Sequence, residues 1–258
     1  MIKYSPRRLT IDGDAVVKEA LRRVEQPTRR RFLQRSLTLG GLSLLTGCAI
    51  VDEDSVDRAL MTVSRFNDKV QGWLFDPKLL APTYPEAMIT RPFPFNAYYG
   101  EDEVRQVDAA SYRLEVAGMV AEKRAWTLAE LQALPQTDQV TRHICVEGWS
   151  AIGKWGGVPF ASFLSRVGAD MSARYVGFKC ADDYYTSIDM ATALHPQTLL
   201  ALSYDGQPLP PRYGFPMKLR MPTKLGYKNP KHIQAIFVTN IYPGGYWEDQ
   251  GYNWFGGI

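Results

Sequence analysis

From residue 112 onward the chain is a succession of short apolar runs, most of them closed off by Gly, Pro or an Asp-Gly pair. Runs at 112–116, 140–146, 175–180, 184–188, 199–204, 217–221 and 233–241 have the length and the aromatic and branched content of strands. Helical signals between them are brief. Thr127 and Glu130 form a capping box that opens a helix ending near Leu134, before Pro135. Residues 160–167 and 191–194 suit two more short helices, the second ended by Pro196. Asp205-Gly206 is a turn signal. Many short strands with few, short helices predict a single mixed α+β domain rather than a doubly wound sheet.

The N-terminal part has a different character. Residues 1–47 carry a net charge of +6 and the remainder −3, so the overall +3 describes neither part. A mildly acidic body argues against a nucleic-acid partner. Thr28-Arg29-Arg30-Arg31-Phe32-Leu33-Gln34 precedes an uncharged stretch, 36–50, that is short and rich in Gly, Ser and Thr for a membrane span. A basic segment, a short apolar segment and small residues read as an export signal. The paired arginines resemble the twin-arginine type, which carries folded proteins across the membrane. Leu45-Thr46-Gly47-Cys48 resembles a lipoprotein box with Cys48 as the lipidated residue. The competing reading is an uncleaved amphipathic helix with a chance arginine run. The expected organisation is a leader at 1–48, an extended lead-in at 49–90 and one domain at 91–258. Within the lead-in, 52–70 is charged with helical spacing, and Pro77, Pro82, Pro85, Pro92 and Pro94 favour an extended course after it.

Three cysteines and three histidines, with no Cys-x-x-Cys pair, speak against a disulfide framework and a structural zinc site. The stretch Arg142-His143-Ile144-Cys145-Val146-Glu147-Gly148-Trp149-Ser150 places Cys145 at the end of an apolar run, directly before a Gly turn. Three roles stay open for it. It is a buried core residue, a soft thiolate ligand to a redox metal, or a nucleophile paired with His143. Arg142 and His143 would both favour its thiolate. Residues 148–154 superficially match a phosphate-binding P-loop. Trp155 stands where a hydroxyl is required, and Gly156, Gly157 and Pro159 follow where a helix must start. A Gly-rich loop shaping a pocket is the expectation there. Lys218, Arg220, Lys224, Lys228 and Lys231 form a charge run that is either a solvated face or a clamp for an anionic cofactor. His195 is either a helix-end histidine bonding a carbonyl or a cofactor contact.

Four segments in order carry a resemblance. They are Cys145 to Ser150, His195-Pro196-Gln197-Thr198-Leu199-Leu200, Leu209-Pro210-Pro211-Arg212-Tyr213-Gly214-Phe215-Pro216, and Pro222 to Lys231. Together they resemble the oxidoreductase molybdopterin-binding domain of the sulfite oxidase fold, nearest its periplasmic sulfoxide-reductase branch, over about 90–240. The resemblance implies a single pyranopterin molybdenum cofactor with Cys145 as the metal's thiolate ligand. It places Asn96, Tyr98 and Tyr99 at the pterin and metal site, Tyr99 replacing a family Glu. It places Cys180 near the pterin, Tyr213 at a cofactor contact and Lys218 at the phosphate-gripping position. Asn229, Pro230 and Lys231 match a contact segment in which only the lysine is retained, and His195 falls at the pterin or its surroundings. Arg142, His143 and Tyr98 are the candidates for delivering protons or polarising the substrate.

The function so implied is oxygen-atom transfer in the periplasm, most simply reduction of an S-oxide or N-oxide such as protein-bound methionine sulfoxide. With no haem-binding Cys-x-x-Cys-His, electrons would come from a partner, a membrane b-type cytochrome or another carrier. Alternatives are oxidation of a sulfite-type oxyanion and a non-catalytic exported lipoprotein that kept the fold as a binding module. The aromatic tail from Gly244 to Ile258 would line the substrate funnel, dock a partner or pack on its own domain.

Overall fold

The computed structural model describes residues 53–258; the expected leader and Cys48 lie outside them. The described residues begin with helix α1 (Glu53–Leu74), so the helical spacing seen at 52–70 is realised from Glu53 and continues one turn further. Residues 76–96 follow with little regular structure beyond a 3-10 turn at Glu86–Met88. None of the described helices is long and apolar enough to cross a membrane.

The described strands build two five-stranded sheets. One contains β1 (Arg113–Gly118), β2 (Ala125–Thr127), β5 (Tyr175–Cys180), β6 (Tyr185–Asp189) and β10 (Ile233–Thr239) in the order β2-β1-β10-β5-β6. Only β1 and β10 run parallel in it. The other contains β3 (Thr137–Ile144), β4 (Ser150–Pro159), β7 (Leu199–Tyr204), β8 (Gln207–Pro208) and β9 (Lys218–Arg220), with β8 and β9 both on the far edge of β7. Three short helices connect them: α2 (Leu128–Gln132), α3 (Phe160–Arg166) and α4 (Met190–Ala193). The capping box is formed as expected: Glu130 N donates to Thr127 Oγ1 and Thr127 N donates to Glu130 Oε2. Asp205 and Gly206 turn β7 into β8, both with positive φ.

The period-2 rule explains how the second sheet serves two cores. Leu200 and Leu202 of β7 point into the main core with Leu114, Phe178 and Ile236 of the first sheet. Ala201 points the other way, and the register shift opposite Gly156 and Gly157 turns Tyr204 to the same side, into a smaller cluster with Phe93, Trp155, Leu209 and Tyr213.

One expectation is overturned here. The Gly-rich stretch after Cys145 is not a loop: after a tight turn it becomes β4, the ten-residue centre of its sheet. The glycines are there for space. A Cβ on Gly157 would lie 2.0 Å from Leu200 O, so the close approach of β4 to β7 needs a residue without a side chain.

The lysine–arginine run departs from the solvated-face reading as well. Lys218, Arg220, Lys224, Lys228 and Lys231 are all buried. Two are neutralised by the fold itself: Lys224 has Asp189 at 3.6 Å, and Lys228 donates to the buried carboxylate of Glu248 and to Ser187 O. Burial lowers the Lys228 pKa, and Glu248 opposes that fall. Glu248→Gln should therefore cost roughly 3–5 kcal/mol, because it strands an ammonium in the interior. Lys228→Met combined with Glu248→Leu should recover most of that loss. Denaturant unfolding of the two variants against the parent checks both expectations.

Candidate functional site

Strand β3 ends at Ile144, and the chain turns at once. Cys145 N donates to Trp149 O and Gly148 N to Cys145 O, with Gly148 at φ +93°. This turn holds Cys145, 4% exposed, on the wall of a cleft. The cleft is open to solvent and its cavity volume is about 120 Å³, smaller than the roughly 300–1,000 Å³ of typical small-molecule and cofactor sites. Asn96, Tyr98, Tyr99, Asn229, Pro230 and Lys231 line it together with Cys145. The fold thus brings into one place residues from the lead-in, the β3–β4 turn and the segment before β10.

Asn96 Nδ2 donates to Cys145 Sγ at 3.3 Å, and Sγ lies 3.6 Å from Glu147 Oε2. Burial raises the thiol pKa, and the Glu147 carboxylate adds to the rise. The electrostatic activation expected from Arg142 and His143 is absent. Arg142 is exposed and sits over the Tyr84 ring. Burial, with Lys218, Arg220 and Lys231 nearby, holds His143 far below the usual histidine range, so it is neutral. A neutral buried thiol is a poor nucleophile. A bound metal ion would supply the missing positive charge and deprotonate it outright.

The rim is aromatic and acidic. Tyr98 OH donates to Asp182 O, and Tyr99 OH to Asp182 Oδ2 at 2.9 Å. Burial and the Asp182 charge push the Tyr98 pKa up to about 12 and raise that of Tyr99, so both phenols remain donors. Tyr98 is accordingly committed to a main-chain carbonyl. Trp247 and Tyr252 of the C-terminal tail also line the cleft, while Trp254 donates to Ser187 Oγ and Phe255 is buried. The tail therefore divides between lining the funnel and packing on its own domain.

Beside the cleft lies a cationic cluster with no internal counter-charge. Lys218, Arg220 and Lys231 have no carboxylate within ion-pair distance among the described residues, unlike Lys224 and Lys228. Lys218 makes no hydrogen bond there and rests 4.8 Å over the Trp155 ring. Burial, then repulsion from Lys231 and Arg220, drives its pKa far down. Lys231 is lowered to about 8, chiefly by burial. The Nε of Arg220, the Nε2 of His232 and both ring nitrogens of His143 are buried without a hydrogen-bond partner. His143 lies behind Gly226 of the cleft wall, where a Cβ would meet its Nε2 at 2.8 Å and Asn96 Nδ2 at 3.6 Å. Unpaired buried cations and orphaned donors are costly unless an anion with hydrogen-bonding edges joins them. A phosphate-bearing pterin beside a thiolate-bound metal is such a group, and the residues present fit it. The described residues contain no cluster of His, Cys, Asp or Glu that would hold a metal unaided.

Some expected site residues stand elsewhere. His195 Nε2 bonds Leu79 O at 3.1 Å and its Nδ1 accepts from Gln197 N, so it fastens the segment after α1 and does not reach the cleft. Tyr213 donates to Phe93 O inside the small aromatic core. Cys180 is buried in the main core, where burial and Asp182 hold its thiol protonated. Sequence reasoning missed Asp182, Tyr184 and Tyr227 in the cleft. Asp182 reads as an ordinary turn residue in Ala181-Asp182-Asp183-Tyr184, and only the pairing of β5 with β6 aims that turn at Tyr99.

Comparison with known proteins agrees with this geometry. A putative protein-methionine-sulfoxide reductase subunit YedZ1 of Azospira oryzae is 77% identical over 261 residues, spanning the whole of both chains. The protein-methionine-sulfoxide reductase catalytic subunit MsrP of Xanthomonas campestris is 29% identical over 245 residues, covering 86% of this chain and 73% of that one. The sulfane dehydrogenase SoxCD of Paracoccus pantotrophus shares the fold at a TM-score of 0.50 with 18% identity, over 54% of this chain and 40% of its own. The family model described as the oxidoreductase molybdopterin binding domain matches residues 101–247. With a thiol beside a cleft, an unpaired cationic cluster and this match, the chain belongs to the molybdopterin-binding oxidoreductase family.

Proposed function

We propose that this oxidoreductase works as a reductase of S-oxides, with protein-bound methionine sulfoxide as its substrate. The reaction takes a sulfoxide, two electrons and two protons to a sulfide and water. The observation that carries the reading is the Cys145 thiol on an aromatic-rimmed cleft beside unpaired buried cations. The names of the relatives from Azospira and Xanthomonas support the substrate class.

When bound, the molybdenum–pterin group supplies the two-electron, oxygen-transfer chemistry. The chain's own residues hold and shield it. Cys145 Sγ would ligate the metal, and the Asn96 amide, already donating to that sulfur, fixes its direction. Lys218, Arg220 and Lys231 would neutralise the phosphate, and the free nitrogens of His143 would meet hydrogen-bonding edges of the pterin. Tyr98 and Tyr99, tied to Asp182, brace the rim, while Trp247 and Tyr252 offer flat apolar walls to a methionine side chain and displace water. Glu147, beside Cys145 at the mouth, stands where protons enter from solvent. Oxidation of a sulfite-type anion is the weaker reading. Such an anion would meet Glu147 and Asp182 at the mouth with Lys231 as the one lysine on the cleft lining, whereas Lys218 and Arg220 are buried away from it.

The electron donor in this proposal is a separate membrane b-type cytochrome, since the chain has no haem-attachment motif. The Arg29-Arg30-Arg31 leader and Cys48 support a periplasmic location with a lipid anchor, although both lie outside the described residues.

Two measurements test the proposal. Protein purified with its cofactor should contain molybdenum and reduce methionine sulfoxide in an oxidised protein, with a reduced viologen dye as donor. Cys145→Ser should lose the metal and at least roughly a hundredfold of turnover, with circular dichroism unchanged. Unaltered turnover in that variant refutes the ligand role. The second concerns the cationic cluster in cofactor-free protein. Lys231 has its pKa lowered to about 8, so its charge is present below that pH and lost above it. Sulfate, which does not titrate in this range, should bind most tightly below pH 8 and weaken as pH rises through it. Lys231→Met should remove that step in a calorimetric titration.

A further inference from the structure

Helix α1 is built inside out. Ser64, Asp68, Gln71 and Phe75 form the stripe turned towards the body. Asp68 Oδ1 accepts from Asn253 Nδ2 at 2.7 Å and from Phe255 N at 2.9 Å, and Gln71 Oε1 accepts from Gly257 N. Phe75 closes the contact against the Phe255 ring. The apolar residues lie on the other side. Leu60, Val63, Phe66, Val70, Trp73 and Leu74 follow the i, i+3, i+4 spacing of a single stripe and are exposed, Phe66 by 64% and Trp73 by 82%. In water such a stripe is a continuing cost, and contiguous exposed apolar surface of this kind marks an interaction site.

We propose that this face lies on an anionic phospholipid bilayer. Three further features select a membrane over other coverings. Arg65 and Lys69 flank the stripe, both exposed and neither hydrogen-bonded nor ion-paired among the described residues, as the polar flank of an interfacial helix requires. Next to them a second cavity, of about 510 Å³, is lined by Arg65 and Lys69, by Asp68 and Asp189, and by the rings of Tyr175, Tyr242 and Trp254. Both carboxylates are already engaged, Asp68 by Asn253 and Phe255 N and Asp189 by Thr192 and Lys224, which leaves the two cations for a phospholipid headgroup. The helix also begins at Glu53, just after the uncharged stretch 36–50 and Cys48, so the chain enters it from a segment of membrane-seeking composition. Trp73, near the last turn, has the amphipathic ring that favours the headgroup level. The inference deepens the location proposed above without using the lipid anchor.

The test uses the full, cofactor-loaded chain with Cys48→Ala, so that no acyl group contributes. The parent should co-sediment with phosphatidylglycerol-containing vesicles, and brominated lipid should quench a component of emission that Trp73→Phe removes. Val63→Ser, Phe66→Ser and Trp73→Ser together should weaken partition on the order of tenfold or more. Arg65→Gln with Lys69→Gln should erase the preference for anionic over neutral vesicles. Should the triple variant fail to fold, Phe66→Ser alone should still weaken partition measurably. Dye-linked sulfoxide turnover should stay at the parent level in every variant, which separates failure here from failure of the catalytic reading. A parent that does not sediment, a triple variant that partitions equally, or a dimer in ultracentrifugation that the triple variant dissociates would each overturn the proposal, the last by showing a second copy on this face.

Discussion

The interior of this protein holds more basic side chains than it has carboxylates to pair with them among the described residues. Lys224 and Lys228 find Asp189 and Glu248 within ion-pair distance, but Lys218, Arg220 and Lys231 have no carboxylate that close among the described residues and rest on the Trp155 and Phe95 rings and on main-chain, amide or hydroxyl oxygens. A fold tolerates such a cluster only if something anionic shares the cost. Much of the surrounding architecture follows from that need. Strand β9 is seated against β7 so that Lys218 and Arg220 point inwards, and the segment that follows curls back to place Asn229 and Lys231 on the cleft wall. The Asn229 side chain accepts from Arg220 Nη1 and Met221 N and donates to Leu225 O. It thereby braces the loop that carries the cations.

The two sheets supply the rigidity that this arrangement requires. Parallel pairing of β1 with β10 and antiparallel pairing of β10 with β5 tie the two ends of the domain together across its main core. The second sheet carries Cys145 at the tip of β3, next to the tightly stacked β4 and β7. A thiol on the first residue after a strand, inside a hydrogen-bonded turn, has little freedom to move. In the proposed role of Cys145 as the metal's ligand, backbone geometry would hold the site, and the Asn96 amide would need only to orient the sulfur.

How much of this was legible depended on whether the relevant signal was local. Strands at 175–180 and 199–204, the Thr127–Glu130 capping box and the Asp205-Gly206 turn are written in neighbouring residues, and they stand where expected. Strand β4 is different. Its glycines look like a loop because glycine is the usual residue of loops, yet here they permit the approach of β7, which follows some forty residues later. The site divides in the same way. Cys145, Asn96, Tyr98, Tyr99 and Lys231 meet as the resemblance implied. Arg142 leaves because it falls on the outer face of β3, while Tyr213 and His195 leave because the aromatic cluster and Leu79 O claim their polar atoms.

From the sequence alone came the class of the fold, the cysteine at a strand end and the family to which these motifs belong, since each rests on residues close together in the chain. The tertiary structure decided which charges would be buried and which of them would remain unpaired. It also decided which phenols would be tied to Asp182 and which face of helix α1 would be left outward. Those outcomes depend on long-range burial and on partners distant in sequence, and burial is what turns an ordinary lysine run into an anion site.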